Sequence, residues 1–180
     1  PLLTLVGVID ADLGLQGSDL RAAERTFQLM RQVSGRAGRS DKPGEALLQT
    51  YQPEHPVIRS ILSGDETGFL QTEATQRRDA GVPPYGRLAG IILSGPDLSQ
   101  LFDLGNALAR QDQPLRQIDA QVFGPAPAPI ARVRGRHRVR LLVKAGKTTP
   151  LQPALTTWIG QFKLKAQMRL AVDIDPQSFY

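Results

Sequence analysis

Two arginines follow a helix-like segment at a spacing that suits phosphate chemistry. They are Arg36 and Arg39, in the string QVSGRAGR that runs from Gln32 to Arg39. A guanidinium is planar and permanently charged and donates two parallel hydrogen bonds to phosphate oxygens, so two of them on a glycine-bearing turn suit a triphosphate. We predict that they meet the charge that develops on a γ-phosphate. The alternative is that both are solvated loop residues.

A second set of basic residues alternates with apolar residues farther along the chain. In an extended strand this alternation puts the cations on one face and residues such as Val139 and Leu141 on the other, with His137 on the apolar side. No carboxylate is near, which favours a phosphate-binding face over a strand that charge merely keeps soluble. The predicted DNA-binding residues are Arg132, Arg134, Arg136, Arg138, Arg140 and Lys144.

The charge of the whole chain is unevenly distributed. From Ala120 to Val172 there are ten Lys or Arg residues and no Asp or Glu, whereas the remainder holds 12 basic and 17 acidic residues. The net charge of +5 therefore divides into +10 and −5. A field of this kind favours a polyanionic partner, most economically a nucleic acid.

The elements that must position the first arginine pair form a strand, a helix and a strand. The apolar run Leu2 to Ala11 predicts a buried parallel strand, and apolar residues recurring every three or four positions from Leu20 to Val33 predict a helix that Ser18 or Asp19 caps. Gly44 to Tyr51 is typical of another short strand. This pattern indicates a piece of a parallel α/β sheet.

A helical linker and a second set of elements follow. Short helices are predicted from Pro56 to Leu62 and from Thr67 to Asp79. The order then becomes β-α-β-β-α-β, which is typical of a ferredoxin-like α+β sandwich. Its predicted strands are Leu88 to Ser94, Ala120 to Phe123, His137 to Ala145 and Met168 to Ile174, its helices are Leu98 to Arg110 and Leu151 to Phe162, and PAPAP is a loop.

Composition excludes several classes of site. The chain has no cysteine and two histidines, so we expect no disulfide, no thiolate site and no metal. No apolar run reaches 18 residues, which predicts a soluble, cytoplasmic protein with no membrane partner. The beginning, PLLTLVGVID, lacks the features of a signal peptide and is interpreted as a strand cut from a longer chain.

Several strings together resemble one family. GVIDADLGL and SDLRAAERTFQLMRQVSGRAGR resemble motifs V and VI of superfamily 2 helicases, and specifically those of the primosomal protein N′ family of replication-restart helicases, the PriA family. Further strings similar to that family are LQTYQPEHPVI, RRDAGVPPYGR, VFGPAPAPIARVRGRHRVRLLVK and AVDIDP. The resemblance covers essentially the whole chain.

The resemblance implies roles for individual residues. It implies that Gln32, Arg36 and Arg39 are motif VI residues, with Arg39 as the arginine finger and Arg36 as a second γ-phosphate contact. The full-length protein would bind the ATP and Mg²⁺. The motif V loop, which couples nucleotide to DNA, would contain Asp12, Gly14, Gly17, Ser18 and Asp19. The family also implies 3′-to-5′ unwinding at stalled or branched forks, primosome assembly, and docking of the single-stranded DNA-binding protein tail. We expect that tail near Lys147 and Gln152, and the alternative is that Gln152 caps the following helix.

The chain also departs from the family pattern. It has no G-x-x-x-x-G-K-[ST] motif, and KAGKTT, from Lys144 to Thr149, has Leu141 where a P-loop needs glycine. The zinc-binding cysteine cluster of the family is absent as well. The chain is therefore interpreted as a fragment that is inactive alone, with the end of RecA-like helicase lobe two at 1–53, a helical linker at 54–86, and at 87–180 a DNA-binding domain resembling ribosomal protein S10. The alternative is a non-enzymatic nucleic-acid-binding module of ribosomal-protein type.

Overall fold

A computed structural model describes residues 4–15, 19–35 and 44–177 of the chain. The chain divides into two compact units, Pro1–Thr75 and Gln76–Tyr180. Each unit combines helices with its own β-sheet, so the mixed α/β class predicted from the sequence is confirmed. The predicted boundaries at 53 and 86 remain a prediction.

The first unit contains a two-stranded parallel sheet within the described residues. Strand β1 (Leu5–Val8) pairs with β2 (Glu45–Leu48), and helix α1 (Ala22–Ser34) lies between them in sequence. A 3-10 turn at Leu13–Leu15 follows β1. Both strands are shorter than the sequence predicted, although the Ala11 N–H still donates a 2.9 Å hydrogen bond to the Gln49 carbonyl beyond their ends.

Helix α1 begins differently from the prediction. Its N-cap residue is Arg21, which supplies no capping side chain, rather than Asp19 or Ser18. The Asp19 carboxylate instead accepts a 3.0 Å hydrogen bond from the Arg21 N–H and forms a 2.7 Å ion pair with Arg25. Asp19 therefore shapes the turn that precedes the helix. Ser18 lies outside the described residues.

Two small apolar clusters hold the first unit together. Helices α2 (Pro56–Ser63) and α3 (Glu66–Asp79) begin within one residue of their predicted positions. The rings of Phe27 and Phe69 stack at 4.3 Å between centroids, and Arg31 lies over the Phe27 ring. One cluster consists of Ala11, Met30 and Ile58, and the other of Phe27, Val57 and Phe69.

The second unit contains a four-stranded antiparallel sheet. Its elements are β3 (Gly86–Gly95), α4 (Leu98–Arg110), α5 (Gln113–Arg116), β4 (Gln121–Val133), β5 (Arg136–Gly146), α6 (Leu151–Gly160) and β6 (Arg169–Ile174). The strand order is β4-β5-β3-β6, and every neighbouring pair is antiparallel. The basic strand β5 is therefore an inner strand, which fixes the direction of its side chains on both faces.

The prediction that PAPAP forms a loop is wrong. Strand β4 continues through these prolines to Val133, with breaks in its pairing between Phe123 and Ala126 and between Pro127 and Arg132. Proline lacks an N–H but favours extended backbone, so it is tolerated in an edge strand such as β4. Strands β4 and β5 therefore form one long hairpin, where the sequence predicted two strands separated by a loop.

Helices α4 and α6 cover one face of this sheet. The core includes Leu101 and Leu108 of α4, Leu155 and Trp158 of α6, and alternate residues of the inner strands. Trp158 is fully buried, and its Nε1–H donates a 3.1 Å hydrogen bond to the Leu108 carbonyl. The other face of the sheet, named the open face below, is the side to which the basic residues of β5 belong.

Candidate nucleic-acid interface

The direction of the β5 side chains follows from strict alternation. Val139, Leu141, Val143 and Ala145 are at most 5% exposed and belong to the helix-covered core. The intervening positions are half-buried and belong to the open face, because successive side chains of a strand point to opposite sides. The core therefore fixes which face the cations occupy.

Three rows of directly paired residues define the open face. Residues directly opposite each other in antiparallel strands share a face, so the pairing gives its composition. The first row is Phe123, Leu142, Gly90 and Asp173; the second is Ala126, Arg140, Ile92 and Ala171; the third is Arg138, Ser94 and Arg169. These three rows thus contain three cations and one carboxylate. This imbalance attracts an anion.

Arg136 is committed to the protein itself. Its Nη2 donates hydrogen bonds to the carbonyl oxygens of Ser94 (3.0 Å) and Gln167 (2.7 Å). The guanidinium therefore ties β5 to the end of β3 and to the segment before β6. The prediction that Arg136 shares a common role with Arg138 and Arg140 did not include these hydrogen bonds, because alternation does not show which carbonyl groups lie within reach of a side chain.

Arg132 and Arg134 lie at the end of the β4–β5 hairpin. Arg132 pairs with His137, which is also the last β5 residue that pairs with β3, at Gly95, so the Val133–Arg136 pair and the turn Arg134–Gly135 are what extend past β3. The two turn residues have positive φ angles, 48° at Arg134 and 78° at Gly135, as tight type I′ hairpin turns require. Both arginines are exposed at this end.

Lys144 borders the first row on the side opposite Arg140. It pairs with Gln121 and Leu88, and its Nζ donates a 3.3 Å hydrogen bond to the Ala80 carbonyl. An ammonium has three donors, so this single bond leaves capacity for an anion. Lys144 therefore extends the basic surface toward the segment that precedes β3.

The sequence reasoning missed two residues of this face. Arg169 of β6 pairs with Ser94 of β3, and Phe123 of β4 pairs with Leu142 of β5. The two-residue period of β4 already separates Phe123 from the half-buried Val122. However, the sequence gives no pairing register, so neither residue could be assigned to the face of Arg140.

Asp12 carries a buried carboxylate in the first unit. It is 3% exposed, and it accepts hydrogen bonds from the Thr50 hydroxyl (2.5 Å) and the Tyr51 N–H (2.7 Å). The hydrogen bond from Thr50, then that from Tyr51, and the nearby His55 lower the pKa of Asp12. The carboxylate thus fastens the loop after β1 to the end of β2.

The remaining motif V and VI residues are only partly described. Gly14 lies so close to α1 that a Cβ there would overlap the Thr26 hydroxyl, so the 3-10 turn needs glycine at this position. Gln32 is exposed on the last turn of α1. Gly17, Ser18, Arg36 and Arg39 lie outside the described residues, and their predicted roles remain predictions.

The residues predicted to hold a partner tail lie around the start of α6. Lys147 is exposed in the turn after β5, where the Thr149 N–H donates a 3.2 Å hydrogen bond to the Gly146 carbonyl. Gln152 is exposed in the first turn of α6. The alternative that Gln152 caps this helix is wrong, because the N-cap residue is Pro150 and no side chain bonds there.

Residues 4–15, 19–35 and 44–177 offer neither a metal-binding cluster nor a membrane-spanning helix. They contain no group of three or more His, Asp or Glu side chains arranged to hold a metal ion. None of their helices is both long enough and apolar enough to cross a membrane.

Comparisons with known proteins agree with the strings singled out in the sequence. The family model described as the Primosomal protein N C-terminal domain matches residues 78–177. Replication restart protein PriA of Rickettsia felis is 42% identical over all 180 residues, which are 27% of that protein. PriA of Bacillus subtilis is 35% identical over 179 residues, or 98% of this chain and 22% of that protein. The chain thus spans about a quarter of the length of the curated relatives it matches.

Proposed function

Because this chain belongs to the Primosomal protein N C-terminal domain family, whose relatives are replication restart proteins, we propose that it serves replication restart by binding DNA through the open face. The full-length protein is then an ATP-dependent 3′-to-5′ DNA helicase that recognises stalled or branched forks and initiates primosome assembly. The observation that carries this proposal is the basic open face, where Arg138, Arg140 and Arg169 are brought together from two strands.

The proposal includes a finer description of both units. The second unit is a ferredoxin-like domain resembling ribosomal protein S10, and its strand order β4-β5-β3-β6 supports this description. The first unit is the end of RecA-like helicase lobe two, supported by the parallel pairing of β1 with β2 around α1. An ATP-driven machine of this kind needs one unit that responds to nucleotide and another that holds DNA.

The nucleotide-responsive residues belong to the first unit. In the proposal Arg39 and Arg36 stabilise the charge on the γ-phosphate, with Gln32 beside them. The loop that contains Asp12, Gly14 and Asp19 transmits the nucleotide state to DNA, and the Asp12 hydrogen bonds to Thr50 and Tyr51 give that loop a firm attachment. Mg²⁺-ATP itself must be bound by a Walker A motif outside these 180 residues. The zinc cluster of the family needs cysteines, and this chain has none.

Lys147 and Gln152 provide a proposed contact for the acidic tail of single-stranded DNA-binding protein. Both are exposed near the start of α6. Other primosome proteins are further proposed partners of the full-length protein. Neither residue belongs to the three paired rows of the open face.

Salt dependence tests the DNA-binding face. Each phosphate contact contributes about 0.9 to the slope of log K against log salt, so replacing Arg138 and Arg169 by serine should flatten that slope by about two on forked DNA. Arg136 is left unchanged because it bonds the Ser94 and Gln167 carbonyls. The measurement is fluorescence anisotropy of a labelled fork across a salt series, with circular dichroism to verify folding.

A matched control removes the same charge from the helix-covered side. Arg110 and Arg116, both exposed, lie on α4 and α5. Their double replacement by serine should leave the slope close to that of the unaltered chain. Equal slopes for all three proteins would contradict DNA binding through the open face.

A second experiment tests the division of labour in catalysis. The purified 180-residue chain should show no ATP hydrolysis with or without DNA, since it has arginines for the γ-phosphate but no phosphate-binding loop. Release of inorganic phosphate is the measurement. Turnover that disappears in Lys147→Ala would show that KAGKTT binds nucleotide after all.

A further inference from the structure

Phe123 is an exposed aromatic residue on the open face. It is 47% exposed on strand β4, whereas Phe27, Phe69 and Trp158 are each at most 5% exposed. A single exposed apolar side chain is common on protein surfaces and needs no explanation by itself. Its neighbours on the sheet are what make Phe123 informative.

The row that begins at Phe123 is apolar across three strands. Phe123 pairs with Leu142, and Leu142 pairs with Gly90. Gly90 carries no side chain, and a Cβ built there would meet nothing closer than the Asp173 carbonyl oxygen at 4.0 Å. The row is therefore a shallow apolar strip in which Phe123 and the half-buried Leu142 are accessible to a flat ring, whereas Gly90 is buried.

Cations border this strip on both sides. Arg140 and Lys144 lie two residues before and two residues after Leu142 on β5, about 7 Å away along the strand in each direction. A flat apolar strip between two cations complements a nucleotide, which has an aromatic base and an anionic phosphate. A duplex would offer this strip only backbone, because its bases are stacked inside the helix.

We propose that the Phe123 strip is a stacking site for a base of single-stranded DNA, whose flanking phosphates contact Arg140 and Lys144. This inference rests on the proposed function of the open face and specifies its ligand as an unpaired strand. Stacking on an aromatic ring tolerates any base, because every base has a π-face. The site therefore recognises that DNA is unpaired without reading its sequence.

The test compares two ligands that differ in bases but not in phosphates. One is a labelled oligo-dT about ten nucleotides long, and the other is an abasic oligomer of the same length. The unaltered chain should bind oligo-dT about tenfold to a hundredfold more tightly. Phe123→Leu keeps an apolar side chain but has no π-face, so this preference should largely disappear, and Phe123→Trp should restore it.

Two controls separate this proposal from the one on which it rests. Ile130→Ala removes a residue of the same strand that is 44% exposed, and it should leave the preference intact. If Phe123→Leu keeps the full preference while Arg138→Ser/Arg169→Ser weakens binding of both oligomers, the stacking site is wrong and the basic face stands. If neither oligomer binds the unaltered chain but the labelled fork does, the stacking site is wrong and the basic face stands; if the fork does not bind either, both proposals fail.

The strip has one competing occupant, a second copy of the chain. Sedimentation velocity across a concentration series tests for it. Self-association that Phe123→Leu abolishes would show that the strip is a protein contact, and it would overturn the proposal.

Discussion

The two units of this chain differ in how completely they bury their own apolar residues. In the second unit, 14 buried residues form one continuous core between the sheet and its helices. In the first unit, the described residues form two clusters of three buried residues each. Leu5 (55% exposed) and Leu47 (59% exposed) lie on the same uncovered face of its two-stranded sheet.

This contrast separates a unit with its own core from a unit in which one sheet face is not covered by any of the residues that the structure describes. A two-stranded sheet is marginal in water, whereas four strands packed on helices support independent stability. The contrast matches the proposed division of function. Binding an extended polyanion needs a rigid surface, which the second unit has. Nucleotide hydrolysis needs phosphate-binding groups that a separate lobe must supply.

The largest expected effect concerns the first unit. In a full-length family member that carries this sequence, Arg39→Ala should lower kcat for ATP hydrolysis by a factor of about 10³ and leave fork affinity nearly unchanged. Arg138→Ser/Arg169→Ser should do the opposite, weakening fork affinity with little change of kcat at saturating DNA. Steady-state kinetics and anisotropy on both proteins measure this. An Arg39→Ala protein with normal turnover and weak fork binding would break the contrast.

Removal of the largest core side chain should produce the next effect. Trp158→Ala leaves a large cavity and removes one of the two hydrogen bonds that the Leu108 carbonyl accepts, so it should lower the free energy of unfolding of the second unit by about 3–5 kcal/mol. Urea unfolding followed by circular dichroism measures the loss. Trp158→Phe keeps most of the volume and should cost less.

A substitution in the first unit serves as the control for Trp158→Ala. Trp158 is the single tryptophan, so its fluorescence reports the second unit alone. Phe27→Ala opens the stacked pair with Phe69 and should leave the midpoint of that fluorescence transition unchanged. A shift of the midpoint would show that the two units unfold together.

The smallest predicted effects appear in acid, one in each unit. Hydrogen bonds from Thr50 and Tyr51 lower the pKa of Asp12, and those from the Gln100 N–H and side chain lower the pKa of Asp97 at the start of α4. A carboxyl group with a lowered folded pKa stabilises the fold above its unfolded pKa of about 4, and the contribution is lost as pH falls through the folded value.

Substitution of these carboxylates should therefore flatten the dependence of stability on pH below about 4. Asp97→Asn should flatten it in the Trp158 fluorescence transition. Asp12→Asn should flatten it in the circular dichroism signal of the first unit and leave the fluorescence transition unaltered. Urea titrations at several acidic pH values measure both, and identical responses of the two variants would contradict independent units.

Regular periodicity made much of the secondary structure predictable. Helix α4 has the predicted bounds, and the predicted starts of α2, α3 and β5 are within one residue of those observed. The prolines of β4 misled the prediction, because proline signals a loop unless the strand is known to lie at a sheet edge. The start of α1 was also wrong, since Asp19 bonds the Arg21 N–H before the helix begins.

The sequence by itself determined the family, the missing phosphate-binding loop and the alternation that separates Arg138 and Arg140 from the core. These properties depend on the order of residues along one strand or one motif. Only the tertiary structure decided that Arg136 bonds the carbonyls of two other segments and that Phe123 lies beside Leu142 on the basic face. The physical reason is that a two-residue period assigns side chains to faces, whereas the register between strands, set by packing of the whole sheet, decides which residues become neighbours.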